Sequence, residues 1–269
     1  MQREPYLQSY TERSKRTAAF FNLYVAANGT LYHTPFFREP AARGEKSEMN
    51  NKVWRLTQTQ NKQRLFAFCG ILAPILFTLL VIIASLLRPG YSEIHNFISD
   101  LGVGPYAIIQ NTNFVIFGLL SIGFALGLRG GLPAPLGRAL KASVLLVVIF
   151  GFGILLAGVF PENYLAGGLH TLASSAAFLS IIAAQLLVWH GLRGKDSAVW
   201  GRYRTYSLIS GLLSLILVWF SSSTDYPGAA QRIFLAVPWI WIEVTGLKLY
   251  SLTKATEPPR ALESLTAPS

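Results

Sequence analysis

The sequence predicts an all-α membrane protein: six transmembrane helices in one bundle, with both termini cytoplasmic. Three observations predict it. Hydrophobic residues make up 52% of the chain and charged residues 13%, against ~25% charged in soluble domains. Apolar runs recur along the chain. The first, 65–87, holds 23 residues without a charge, enough to cross a ~30 Å hydrocarbon layer at ~1.5 Å per residue. Finally, the basic residues fall on alternate sides of these runs.

The formal charge of +10 does not point to nucleic acid, because 11 of the 23 basic residues precede residue 65 and most others sit in short loops between apolar runs. That is the distribution of a protein facing an anionic leaflet, so the expected partner is the lipid bilayer of the cell membrane. The single cysteine, Cys69, lies inside the first run. A disulfide within the chain and a cysteine metal cluster are both excluded.

Residues 1–64 are polar, basic and poor in periodic apolar positions, which predicts a flexible N-terminal tail. Residues 18–27 (AAFFNLYVAA) follow a basic group, but are short and broken by Asn22 for a secretory signal. The only methionines are Met1 and Met49, and Met49 stands just before the basic lead into the first run, where an alternative translation start is expected. Six spans then follow at 65–87, 107–128, 142–160, 169–190, 205–222 and 232–252, forming one domain from 65 to 252, with a C-terminal tail at 253–269. The third and fifth are short and extend readily through Ala139 and Ser223. Pro74 and Pro238 fall inside spans, where neighbouring helices re-satisfy the freed carbonyls. Small residues four apart, Gly123/Gly127, Gly153/Ala157 and Ser207/Gly211, predict faces where helices approach closely.

Orientation follows from the loops. Lys52, Arg55, Lys62 and Arg64 precede the first span; Arg129, Arg138 and Lys141 fill loop two; Arg193, Lys195, Arg202 and Arg204 fill loop four. Loops one, three and five hold only Arg88, with Arg232 at the last border. The positive-inside rule therefore puts the termini and the even loops in the cytoplasm.

Within loop one, residues 91–106 (YSEIHNFISDLGVGPY) form a polar island. Ile94, Phe97, Ile98 and Leu101 recur at helical spacing, so the segment predicts a short amphipathic helix at the membrane surface. Ser92 is its expected cap, and Gly102 with Gly104-Pro105 its expected stop.

The outer loops, nearly stripped of positive charge, collect Glu93, His95, Ser99, Asp100, Glu162, His170, Asp225 and Arg232. Three loops on a six-helix bundle converge readily on one outward-facing polar pocket, and these eight residues are its expected lining. Ser174 lies one turn below His170 on the same face. Asp100 and Arg232 are expected to share one site, through a salt bridge or a common ligand. The acids Asp100, Glu162 and Asp225 stand 62 and 63 residues apart, a spacing that evenly sized spans produce by themselves.

No cofactor is expected from the simplest reading. Zinc enters only in an alternative, where His95 and His170 with nearby carboxylates supply the right ligand types for a water-activating ion. No HExxH or similar close pair supports it, and no Gly-x-Ser-x-Gly context supports Ser99 as a nucleophile. Glu243 lies 11 residues past Arg232, about 16 Å down the sixth helix at ~1.5 Å per residue. A carboxylate at that depth reads as a proton carrier, a ligand group, or a protonated acid bonded to a neighbour.

Three segments carry a resemblance: IHNFISDLGVGP after the first span, FPENYLAGGLHTLAS across loop three, and GAAQRIFLAVPWIW into the last span. Together they resemble the bacterial membrane family labelled domain of unknown function 998, over about residues 65–252. The resemblance implies a six-helix bacterial membrane protein and supplies no activity. The shorter Ile98-Ser99-Asp100-x-Gly102-x-x-Pro105 is similar to a segment of eukaryotic autophagy-modulator and GPI-lipid-remodelling membrane proteins, which implies lipid handling. Three functional readings stand at this point: a protein whose outer pocket binds a lipid headgroup or small polar ligand, a metal-dependent intramembrane hydrolase, and a proton-coupled transporter resting on Glu243.

Overall fold

The computed structural model describes residues 42–221 and 224–255. Residues 1–41 of the expected N-terminal tail, with the 18–27 segment, and 256–269 of the expected C-terminal tail lie outside the described residues. The chain divides into two units, 1–51 and 52–269. In the first, the described residues 42–51 are helical; the apolar helical stretches all belong to the second.

Among the described residues the structure is all-helical, with α1 Ala42–Leu87, α2 Ala107–Gly131, α3 Arg138–Val159, α4 Gly168–Gly191, α5 Ser197–Ser221 and α6 Pro227–Ala255. Two single 3-10 turns, Ser99–Gly102 and Tyr164–Gly167, lie in loops one and three. All six helices are long and apolar enough to cross a membrane. Every helix extends the expected span at one end or both. The largest difference is in α1, which begins at Ala42 rather than near residue 65, so residues 42–64 of the expected tail are helical. The reason is local: Ala, Arg, Glu, Lys, Gln and Leu dominate that stretch and it holds no proline, so propensity supports a helix where no apolar period announces one.

Helices adjacent in sequence from α2 to α6 pack as spatial neighbours, and α1 lies against both α2 and α6. The α2–α3 crossing is set by Gly118 and Gly151. A Cβ on Gly118 would stand 2.5 Å from the Gly151 carbonyl oxygen, and one on Gly151 would stand 2.7 Å from that of Gly118. Backbones this close exclude any side chain. The small-residue pairs expected from sequence also lie at contacts: Gly127 backs onto Phe66, Gly153 onto Ala173, and Gly211 onto Leu186. Between α5 and α6, Tyr203 Oη and Thr245 Oγ1 are 2.7 Å apart, and Trp241 Nε1 donates to Ser207 Oγ at 3.1 Å.

Trp239 of α6 is the centre of the bundle's aromatic core. Its ring stacks on Phe117 at 4.8 Å and meets Phe77 and Phe150 edge-on at 5.5 and 5.9 Å. Each such pair adds roughly 0.5–1.5 kcal/mol beyond area burial. Leucine and isoleucine side chains such as Leu79, Ile108, Leu145, Leu179 and Ile240 remain exposed around the outside, as a lipid-facing surface requires.

Leucine at Gly118 should force α2 and α3 apart and cost on the order of 1–3 kcal/mol or more. Gly168 has nothing within 4 Å of its Cβ position, so Gly168→Ala should be neutral or stabilising by under about 1 kcal/mol. Thermal unfolding in detergent checks the pair; equal midpoints would contradict the crossing.

Candidate functional site

Loop one is not the amphipathic helix its spacing suggests. After α1 the backbone runs through turns from Glu93 to His95 and then the 3-10 turn Ser99–Gly102. Polar side chains divert it from a helix by taking the backbone bonds. The His95 amide donates to Ser92 Oγ at 3.4 Å and the Ser92 amide to Asn96 Oδ1 at 2.9 Å. The Phe97 amide donates to Asp100 Oδ2 at 2.9 Å. Such local bonds compete with helix formation. The helix that Ser92 is expected to cap is absent, and the Ser92 hydroxyl accepts within a turn instead; Gly104 has φ at +79°.

Arg232, near the start of α6, holds this loop. Its Nη1 donates to the carbonyl oxygens of Glu93 (2.9 Å), Asn96 (3.1 Å) and Gly228 (3.0 Å), and its Nη2 donates to Tyr91 Oη at 2.6 Å. The guanidinium also lies 5.6 Å from the Tyr91 ring centroid. Tyr91 in turn donates to the Phe97 carbonyl at 2.9 Å. Burial pushes the Tyr91 phenol up, against the opposing effect of Arg232, so it stays neutral and accepts. The preceding residue of α6, Gln231, accepts from the Ile98 amide at 2.6 Å. Asp100 and Arg232 thus bind the same loop without bonding each other. The expected direct salt bridge is not formed, because backbone carbonyls and a phenol occupy the guanidinium.

Beneath the loop lies a partly open cavity of about 190 Å³. Ser99, Glu162, His170, Thr171, Ser174 and Gln231 supply its polar side; Phe77, Phe114, Phe178 and Trp239 supply an aromatic floor, with Ile154 and Leu235. Five helices and loops one and three contribute. At this size it is smaller than the ~300–1,000 Å³ of pockets for drug-sized ligands. It suits one small polar group.

His170, 5% exposed, begins the inner wall. Its Nδ1 meets the carbonyl oxygens of Ala157 at 2.9 Å and Phe160 at 3.3 Å. Carbonyls only accept, so Nδ1 carries the proton and Nε2 is left toward Glu162 Oε1, 3.7 Å away. This exceeds a hydrogen bond and falls within ion-pair range. Burial pushes the Glu162 carboxyl above the usual carboxylate range, against the pull of the Ser99 hydroxyl and of His170, while Asp100 pushes the same way as burial.

Of the eight expected residues, the cavity therefore gathers Ser99, Glu162 and His170. Glu93 is exposed and accepts from Ser85 Oγ at 2.9 Å. His95 packs its ring 5.8 Å from Tyr226, and Asp225 is exposed; neither lines the cavity. Among the described residues no three His, Cys, Asp or Glu side chains group as metal ligands, so the zinc alternative through His95 and His170 gains no geometric support. Glu243 is half-buried, within electrostatic range of Tyr206 and away from the cavity lining. Sequence reasoning missed the aromatic floor: phenylalanines and a tryptophan within apolar spans look the same whether they face lipid or a cavity.

A family model described as "Protein of unknown function (DUF998)" matches residues 71–248. No curated protein and no solved structure matches the chain, so the similarity of the 98–105 segment to lipid-remodelling proteins is without support.

Because the folded chain holds the Glu162 proton more tightly than the unfolded chain, this group contributes stability that is full below about pH 4.3 and is lost as pH rises through the raised value. Glu162→Gln should flatten that decline and unfold at a higher temperature than the native chain near neutral pH. A variant with a lower midpoint at neutral pH would contradict this environment for Glu162.

Proposed function

The chain belongs to the DUF998 family, and from the geometry we propose that it is a binder: its cavity takes the headgroup of a lipid or a small polar ligand. The observation that carries this reading is the pairing of Glu162 and His170 above an aromatic floor in one partly open cavity. The apolar floor shields the ligand from water, and the polar rim orients it. With Arg232 committed to loop one, the rim offers a carboxyl group, hydroxyls and an amide but no free guanidinium. That chemistry favours a ligand presenting hydrogen-bond donors or an amine over one presenting a bare phosphate. The membrane is the cell membrane, crossed six times, with the cavity on the outer side and both termini inside, as the loop charges direct.

Thermal unfolding of the purified chain with added short-chain phosphatidylethanolamine tests the proposal. Ligand at about 100 times its Kd stabilises by about 2.7 kcal/mol. The native chain should show that shift, Glu162→Gln should need at least about tenfold more lipid, consistent with loss of a charge-assisted bond, and Ser174→Phe, which fills the cavity, should show none. A shift undiminished by Ser174→Phe would place binding elsewhere.

A further inference from the structure

We propose that the opposite end of the bundle carries a binding site for the phosphate of an anionic phospholipid, built on Trp189, Arg193 and Arg204. Trp189 lies in the last turns of α4, Arg193 just past its end, and Arg204 two turns into α5. The Arg193 guanidinium stands 4.4 Å from the indole centroid and that of Arg204 stands 5.9 Å from it. The two charges are therefore within about 10 Å, one Debye length at 0.1 M salt, and they repel.

The indole attracts each cation by its quadrupole but neutralises neither. No carboxylate does so. Glu162, the carboxylate nearest a basic ring, faces His170 at the other end. Asp196, the acid of this loop, is turned to its own helix start, accepting from the Ala198 amide at 2.9 Å. The other charged side chains of loop four, Lys195 and Arg202, are cations. Arg204 Nε is buried and has no acceptor, although a buried donor is nearly always paired.

One phosphodiester answers both needs. Its negative charge offsets the repulsion, and its two free oxygens accept from the two guanidiniums. The lipid source follows from what adjoins the pair. At helical spacing from Arg204, α5 continues into exposed Leu212 and Leu215, 45% and 50% accessible, a strip along which an acyl chain lies. An indole at the headgroup level suits the same position.

Native mass spectrometry of the purified full chain, titrated with phosphatidylglycerol or with phosphatidylcholine of the same acyl chains, tests the site. The native chain should retain phosphatidylglycerol preferentially, and each arginine changed to glutamine should weaken that retention about fivefold, from about 1 kcal/mol per basic residue at a membrane surface. Phosphatidylcholine, whose own choline offsets the charge of its phosphodiester, should be retained less by the native chain, and its retention should be weakened less by each substitution. Arg202→Gln, which removes an exposed charge with no indole contact, should keep most of the preference. Equal retention of both lipids by the native chain would overturn the proposal. So would an Arg202→Gln effect as large as that of Arg204→Gln, which would mean diffuse charge, or displacement of the lipid by millimolar inorganic phosphate, which would mean a free-anion site. If Arg204→Gln does not fold, the exposed Arg193→Gln carries the same comparison.

Discussion

The roof of the cavity depends on one guanidinium. Loop one leaves α1 at a membrane boundary with its carbonyls turned inward, and Arg232 meets the oxygens of Glu93, Asn96 and Gly228 together with the Tyr91 phenol. A carbonyl left without a partner where water is scarce costs about 1–3 kcal/mol. Lysine is a poor substitute, because its single nitrogen cannot hold the carbonyl cluster that Nη1 serves and the Tyr91 phenol that Nη2 serves at the same time. With the loop pinned to α6, Ser99 and Ile98 are carried over the space between the helices, and Gln231 fastens Ile98 to the adjacent position of the same helix. The cavity is what remains beneath.

Much of the fold was legible in the sequence because a bilayer permits few solutions. Every backbone group must be paired inside its own segment, so run length and charge placement suffice to count six helices. Small residues four apart marked real contacts at Gly127, Gly153 and Gly211, while the tightest crossing, Gly118 with Gly151, went unread because the two glycines belong to different helices. The polar stretch at 42–64 hid a helix for the converse reason: its residues favour one, but no apolar face announces it.

The site was legible in part. Of the eight residues expected to line one pocket because outer loops on a bundle converge, Ser99, Glu162 and His170 line the cavity, and Glu93, His95, Asp100, Asp225 and Arg232 do not. The role of Arg232 was not foretold, since an arginine amid acids reads as an ion-pair partner or an anion receptor, and backbone carbonyls are invisible in a sequence. Helical spacing in loop one likewise gave a helix where Ser92, Asn96 and Asp100 redirect the backbone. The bundle is thus polarised: acids, hydroxyls and one buried histidine at the cavity end, arginines on an indole at the other.

The central claim, that Arg232 builds loop one into the cavity roof, is tested most directly by hydrogen-exchange mass spectrometry of the native chain and Arg232→Gln in the same detergent. The account predicts faster amide exchange confined to residues 91–103, with α2, α3 and α4 as protected as in the native chain. Exchange across 91–103 unchanged by the substitution would contradict it.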